Sequence, residues 1–211
     1  MADAKEKIAK RAAQELKGPL IVNLGIGIPN LIPNYVDDPT VFIHTENGML
    51  GVGPYDEDNI DPAIINSGKA FVTAEPGAAY FDSAESFAMI RGHHVDTAVL
   101  GILQIDEHGR VANWAVPGKD IIGVGGAMDL IEGAKRIICT MLHTTKTGEP
   151  KILHECTYPL SSLRVVDMLI TDYAVFRFHD GKMFLDELMP GVTLKDVMDH
   201  TEADFIINLE K

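Results

Sequence analysis

The sequence predicts an α/β protein built on a mixed, mostly parallel sheet flanked by helices. Three observations carry that expectation. Short apolar runs rich in β-branched residues alternate with helix-period stretches early in the chain. Three of those runs end in glycine-rich turns, as strands do when they feed a crossover connection. Late in the chain, strand-like runs follow one another across short polar turns, the pattern of hairpins. No internal repeat, low-complexity segment or linker interrupts the 211 residues, so one domain over 1–211 is expected.

Residues 2–17 place Ile8, Ala12 and Leu16 on one stripe among charged neighbours, an amphipathic helix ended by Gly18-Pro19. Leu20 to Leu24 is a buried strand, and Gly25-Ile-Gly-Ile-Pro29 leads into a helical stretch from about Asn30 to Tyr35. Val41 to His44 is the next strand, broken by Thr45-Glu46-Asn47-Gly48, with Gly51 and Gly53 soon after. Pro54 to Asp61 is an acidic, solvated loop. Phe71 to Ala74 reads as a strand that stops at Glu75-Pro-Gly77. Asp82 and Glu85 have capping-box spacing at the front of a helix over 83–91. Val95 to Leu103 is a strand, Asp106 to Gly109 a hairpin turn, and Val111 to Val116 the returning strand. A second glycine cluster, Gly123-Val-Gly-Gly-Ala-Met-Asp129, opens a helix toward Gly133. Ile137 to Leu142 is then a strand, with Lys151 to Cys156 as its hairpin partner across the polar loop 144–150. Met168 to Thr171, Val175 to Phe178 and Met183 to Leu185 form a meander. Thr193 starts a short helix, and Phe205 to Asn208 is a final strand.

Composition removes several classes of function. Eighteen Lys and Arg against 31 Asp and Glu leave a net charge of −13. Nucleic acid is therefore not the expected partner, because phosphates need a surplus of cations. Cys139 and Cys156 lack metal-type spacing and lie in apolar runs, which reads as free thiols in a reducing compartment. The charged N-terminal stretch is not a signal peptide, and no apolar run approaches the ~20 residues that cross a bilayer. A cytoplasmic protein without membrane contact is expected. His93-His94 is not read as a metal pair: adjacent side chains diverge and no further ligand is spaced to join them.

A carboxylate such as Glu46, at the C-terminal end of a strand on a glycine-permitted turn, is held in one orientation while a ligand backbone comes close. The same residues would also make an ordinary Asn-Gly turn with an exposed glutamate. Gly25-x-Gly27 has the strand–glycine–helix arrangement of anion sites, but without the third glycine of the dinucleotide fingerprint it equally describes a tight βα turn. Placed together, Gly25-x-Gly27, Glu46-Asn47-Gly48 and Gly125-Gly126 suggest one site along the C-terminal edge of a sheet.

Several blocks in order carry a resemblance. They are IVNLGIGIPN at 21–30, TENGMLGVGP at 45–54, PGAAYFDSAESFAMIRG at 76–92, VDTAVLGILQIDEHGRVANWAVPGK at 95–119, GVGGAMDLIEGAKR at 123–136 and AVFRFHDGKMFLDEL at 174–188. In these the chain resembles the β subunit of family I CoA-transferases, of the 3-oxoacid and acetate or butyrate–acetoacetate type, with their CoA-transferase or sugar-phosphate isomerase-like fold. The resemblance implies that Glu46 attacks an acyl-CoA thioester, giving an acyl-glutamyl anhydride and then a glutamyl-CoA thioester, with ping-pong kinetics. A carboxylate is already an ionised nucleophile at pH 7, so no metal and no permanently bound cofactor is implied, and coenzyme A is a substrate. It further implies that Gly125 and Gly126 supply a backbone donor to the developing oxyanion. Asn47 would orient Glu46 or contact the cofactor's amide arm, and Gly25 and Gly27 would line the mouth of the site. Gln104 and Asn113 would contact CoA or merely stabilise their hairpin. Lys119 would meet a substrate carboxylate or a CoA phosphate, or stay solvated. Thr45 stands where the family commonly has serine, and His93 replaces a glycine of its Arg-Gly-Gly-His run.

The resemblance also implies an α subunit, in an αβ or α2β2 assembly, that completes the site and binds much of the CoA. An excess of acidic groups without a basic patch agrees with that help, since CoA is an anion. Two other readings stay open on sequence grounds: an acyl-CoA hydrolase on the same fold, and a non-catalytic ligand-sensing module. The acyl group is expected to be short, with acetyl, butyryl and acetoacetyl not distinguished.

Overall fold

The computed structural model describes residues 2–121 and 123–209. The chain opens with helix α1 (Ala2–Ala13), strand β1 (Leu20–Leu24) and a 3-10 helix over Ile28–Tyr35. β2 (Val41–Thr45), β3 (Met49–Val52), β4 (Ala74–Tyr80), α2 (Ser83–Arg91) and β5 (Thr97–Gly101) follow. Next come β6 (Gln104–Asp106), β7 (Val111–Ala112), α3 (Ala127–Gly133), β8 (Arg136–Thr140) and β9 (Ile152–Leu153). β10 (Met168–Ile170), β11 (Ala174–His179), β12 (Lys182–Leu188), α4 (Leu194–His200) and β13 (Ile206–Ile207) complete the chain.

Ten strands make one sheet in the order β13-β12-β11-β10-β8-β5-β1-β2-β3-β4. Its centre, β10-β8-β5-β1-β2, is parallel throughout, and antiparallel pairs extend it on both sides. The mixed, mostly parallel sheet expected from the sequence is therefore present. β6, β7 and β9 form a second, three-stranded sheet.

Side-chain alternation explains how two layers of helix cover the large sheet. Val22, Leu24, Val99, Ile138 and Met168 point to one face, where Ile8, Ala12 and Leu16 of the N-terminal segment and Ile32 of the 3-10 helix meet them. Ala98, Leu100, Ile137, Cys139 and Leu169 point to the other, under Ile90 of α2 and Leu130 and Ile131 of α3. Strands buried on both faces read as continuous apolar runs, as these do. Both cysteines are free thiols. Among the described residues no helix is long and apolar enough to cross a membrane.

Four expectations are corrected. Helix α1 stops at Ala13, and Leu16 reaches the core from a turn built on i→i+3 bonds. The strand expected at Phe71–Ala74 starts where that reading ended it and continues through Glu75-Pro76-Gly77 as β4; this is the sheet edge, where proline's missing donor costs no ladder bond. The run Val95–Leu103 is divided: Thr97–Gly101 lies in the large sheet, and the chain then turns into the small one at Gln104. Ile152–Leu153 does not return beside β8 but pairs parallel to β6.

Candidate active site

Glu46 leaves the C-terminal end of β2 in the turn Glu46-Asn47-Gly48. Period two along the strand puts His44 and Glu46 on the same face. The parallel register sets Asn23 of β1 directly beside His44. That face is the one covered by α2, so Ser86 from its first turns comes down on the histidine. A connected set of polar contacts results. Asn23 Nδ2 lies 3.3 Å from Glu46 Oε2 and 3.1 Å from His44 Nδ1, and His44 Nε2 lies 3.1 Å from Ser86 Oγ. Asn23 and Ser86 are fully buried, His44 is 1% exposed, and Glu46 is half-buried. Burial pushes the His44 imidazole down to about 4, and Phe81 stacks on its ring at 5.8 Å.

The turn has its own supports. Gly48 donates its amide to the Thr45 carbonyl, and its carbonyl accepts from the Phe81 amide, both at 3.0 Å. Thr45 Oγ1 donates to Asn47 Oδ1 (2.7 Å) and accepts from the Ser67 amide (2.9 Å). Beside Thr45 lies a cavity of about 180 Å³, lined in part by Leu24, Asn30, Ile43, His44 and Phe71.

The second glycine cluster meets this turn from across the sheet edge. A Cβ built on Gly126 would sit 3.1 Å from Phe87 Cζ and 3.4 Å from Glu46 Cγ. The Gly126 backbone thus lies within contact distance of the carboxylate arm, and Gly125 before it has φ +56°, a region that favours glycine. Gly25 follows β1, its amide bonded to the Val99 carbonyl at 2.8 Å, and Gly27 (φ +97°) precedes the 3-10 helix. All three glycine turns therefore stand at the C-terminal edge of the parallel strands.

The remaining expected residues divide. Asn47 turns away, donating from Nδ2 to the Ile65 carbonyl at 2.8 Å, so the carboxamide that meets Glu46 belongs to Asn23. Gln104 is engaged inside its own subassembly: Oε1 accepts from the Thr157 and Tyr158 amides at 3.0 Å. Asn113 Oδ1 accepts from Ser161 Oγ at 2.6 Å. Lys119 lies exposed on a turn closed by its own amide on the Val116 carbonyl. His93 adopts φ +61°, which explains why glycine suits that position, and its Nδ1 lies 2.8 Å from the Gly133 carbonyl. Asn23, His44 and Ser86 escaped the sequence reading. The available signal was a polar side chain inside each of two apolar runs, LIVNL and VFIH, where a buried amide or imidazole requires a partner.

Residues 5–200 match the family pattern of coenzyme A transferase. The chain belongs to that family. It is 51% identical over 210 residues to the β-type chain of a probable succinyl-CoA:3-ketoacid coenzyme A transferase of Bacillus subtilis, covering 99% of this chain and 97% of that one. It is 50% identical over 204 residues to the beta chain of the acetate CoA-transferase of Escherichia coli K12, covering 96% and 94%. The crystal structure of the acyl-CoA transferase YdiF from Escherichia coli O157:H7 superposes with a TM-score of 0.77 at 25% identity, over 99% of this chain and 43% of that one. End-to-end alignment with these β-type relatives makes this chain a β-type subunit of a CoA-transferase, an enzyme class that has CoA as a substrate.

Proposed function

We propose that this β subunit carries the nucleophile, Glu46, of a cytoplasmic enzyme that moves CoA between short-chain acyl-CoA and carboxylates, with an α subunit completing the site. The observation that carries the proposal is the close approach of the Gly126 backbone to a strand-end carboxylate: a Cβ built there would stand 3.4 Å from Glu46 Cγ and 3.1 Å from Phe87 Cζ. A Glu46 oxygen attacks the thioester carbonyl; the C–S bond breaks, CoA leaves as thiolate, and an acyl-glutamyl anhydride remains. The thiolate attacks the glutamyl carbonyl, releasing the donor as a free carboxylate and leaving a glutamyl-CoA thioester. An acceptor carboxylate then runs both steps in reverse. Each attack places negative charge on a carbonyl oxygen, for which a backbone N–H of the Gly125-Gly126 turn is the donor.

Short acyl groups and ketoacids are proposed as substrates because the two relatives are named for succinyl-CoA, 3-ketoacids and acetate. Gly25, Gly27 and Lys119 line or approach the CoA mouth in this reading; Gln104 and Asn113 hold the small sheet that frames it. The two sheets share one apolar core, with Ile105, Val111 and Ile152 packed among Leu100, Ile131 and Leu169, which supports one domain over the chain. An αβ or α2β2 assembly is supported by exposed apolar groups beside the site: Ile26 between the first two glycines is 66% exposed, and Tyr80 at the end of the edge strand β4, opposite Met49, is 59% exposed.

Incubation of the αβ complex with acyl-CoA and no acceptor should give a CoA mass increment on Glu46, with borohydride inactivating only when acyl-CoA is present. Absence of the adduct together with full activity in Glu46→Gln would refute the covalent route. A normal transfer rate from the isolated chain would refute the need for a partner.

A further inference from the structure

We infer that His44 is a positioning residue for Glu46, acting through Asn23 as an uncharged hydrogen-bond acceptor anchored by Ser86. The inference rests on Glu46 being the nucleophile. Asn23 Nδ2 faces two groups, Glu46 Oε2 at 3.3 Å and His44 Nδ1 at 3.1 Å. An amide nitrogen has two hydrogens and no acceptor capacity, so one hydrogen is available for each. Flipping the carboxamide would set its oxygen against the carboxylate, so the orientation is fixed by what it faces.

His44 Nδ1 must then accept. In a neutral imidazole the other nitrogen carries the proton, so Nε2–H donates to Ser86 Oγ at 3.1 Å. The tautomer is thus set by the amide on β1, and the hydroxyl on α2, which can donate or accept, takes the acceptor role. The whole group is inaccessible to water, with Asn23 and Ser86 fully buried and His44 1% exposed. Asn23 Oδ1 has no partner among the described residues although it is buried, so only its nitrogen end locates this carboxamide. Take away the acceptor on His44, and among the described residues the 3.3 Å bond to Glu46 alone is left to hold the Asn23 side chain, which gains freedom to rotate off it. The carboxylate would keep its tether on β2 but lose the bond that selects its rotamer. Nucleophilic attack depends on alignment of that oxygen with the thioester, whereas binding of CoA does not, so the loss should fall on kcat rather than on KM.

The test uses the assembled αβ enzyme and two readouts, steady-state transfer and the rate of CoA adduct formation on Glu46. His44→Leu, which keeps bulk and removes the acceptor, is expected to slow both by at least about tenfold while KM stays within about threefold. His44→Gln, whose amide oxygen can accept, is expected to recover most of the rate. Wild-type rates in His44→Leu would overturn the inference, as would a His44→Gln variant no faster than His44→Leu. Should His44→Leu fail to assemble, Ser86→Ala carries the test: a fall of about threefold in kcat at unchanged melting temperature supports the anchor, and an unchanged kcat overturns it. Glu46→Gln separates the two levels. If that variant still forms an adduct, the nucleophile assignment itself fails; if it forms none and the His44 variants behave like wild type, only the positioning role fails.

Discussion

Gly48→Ala addresses the turn on which the site depends. Gly48 has φ +126°, and a Cβ there would sit 2.1 Å from the Phe81 carbonyl oxygen, a backbone atom that cannot rotate away. Two costs add. An L side chain held in so sparsely populated a backbone region costs about 1–3 kcal/mol. Relieving the overlap requires the β2–β3 turn or the strand end at Phe81 to shift, which as overpacking costs about 1–3 kcal/mol more. A total near 4 kcal/mol corresponds to a melting temperature lower by about 8–16 °C for a chain of this length. The same shift carries Glu46 with it, and a displacement of about 1 Å at a reacting group costs on the order of 10²-fold in rate. Gly148→Ala is the control, because Gly148 also has positive φ, +87°, but its Cβ would meet nothing within 4 Å. That variant bears conformational strain alone, about 1–2 kcal/mol, with no overlap to relieve. Thermal melts and transfer rates of both variants in the αβ complex decide the matter. If Gly48→Ala melts no lower than Gly148→Ala, or transfers at the wild-type rate, the reasoning is wrong.

Two other perturbations test the fold. Arg164 donates to the carbonyls of Ile131 and Ala134 at 2.6 Å and to those of Glu132 and Lys135 at 3.1 Å, closing the end of α3; Arg164→Ala should cost about 2–3 kcal/mol by denaturant titration, and Arg164→Lys should recover less than half, since an ammonium cannot reproduce the fork. Acidification should destabilise the protein through its buried histidines. Burial lowers His44 to about 4 and His143 to about 3, from 6.5. Below pH 6.5 the unfolded chain takes up protons that these residues refuse when folded, so their contribution is complete above pH 6.5 and lost progressively toward pH 4 and 3. The loss is about 2 kcal/mol for each at pH 5. His154, raised by its hydrogen bond to Glu107, works in the opposite sense from the exposed surface. A melting temperature flat between pH 6.5 and 5, or one that falls equally in His143→Gln, would count against this account.

Much of the architecture was legible because it is local. Asp82 caps α2 by accepting the Glu85 amide, and Thr193 with Asp196 forms a complete capping box on α4. The strand that ends at Glu46 and the glycine turns were legible for the same reason, since φ values that favour glycine leave a mark on composition. What escaped is non-local. Nothing in Ile152–Leu153 tells whether it pairs with β8 or β6, because a two-residue strand is assigned by what lies beside it in space. Proline in β4 looks like a terminator until the strand is known to be an edge. Asn47 adjoins Glu46 in sequence, yet Asn23, 23 residues away, is the amide that reaches it, through strand register alone.

Register also explains why a buried polar trio survives in the centre of an apolar sheet. An unpaired buried acceptor such as Asn23 Oδ1 costs about 1–3 kcal/mol, and apolar side chains of similar shape would remove that cost. Replacing Asn23 alone leaves His44 Nδ1 unsatisfied and replacing His44 alone strands both an Asn23 N–H and Ser86 Oγ, whereas replacing both sheet residues leaves only the Ser86 hydroxyl without its partner, so the effects should be strongly non-additive. The double variant Asn23→Val/His44→Leu is therefore expected to melt above Asn23→Val alone and close to wild type, while its rate of adduct formation on Glu46 is no better than that of either single variant. Stability and activity would then move in opposite directions at one site, as expected where polar groups are retained for function. If the double variant is instead destabilised by the sum of the two single effects, the trio is a structural element of the sheet, and its proximity to Glu46 carries no consequence for the chemistry.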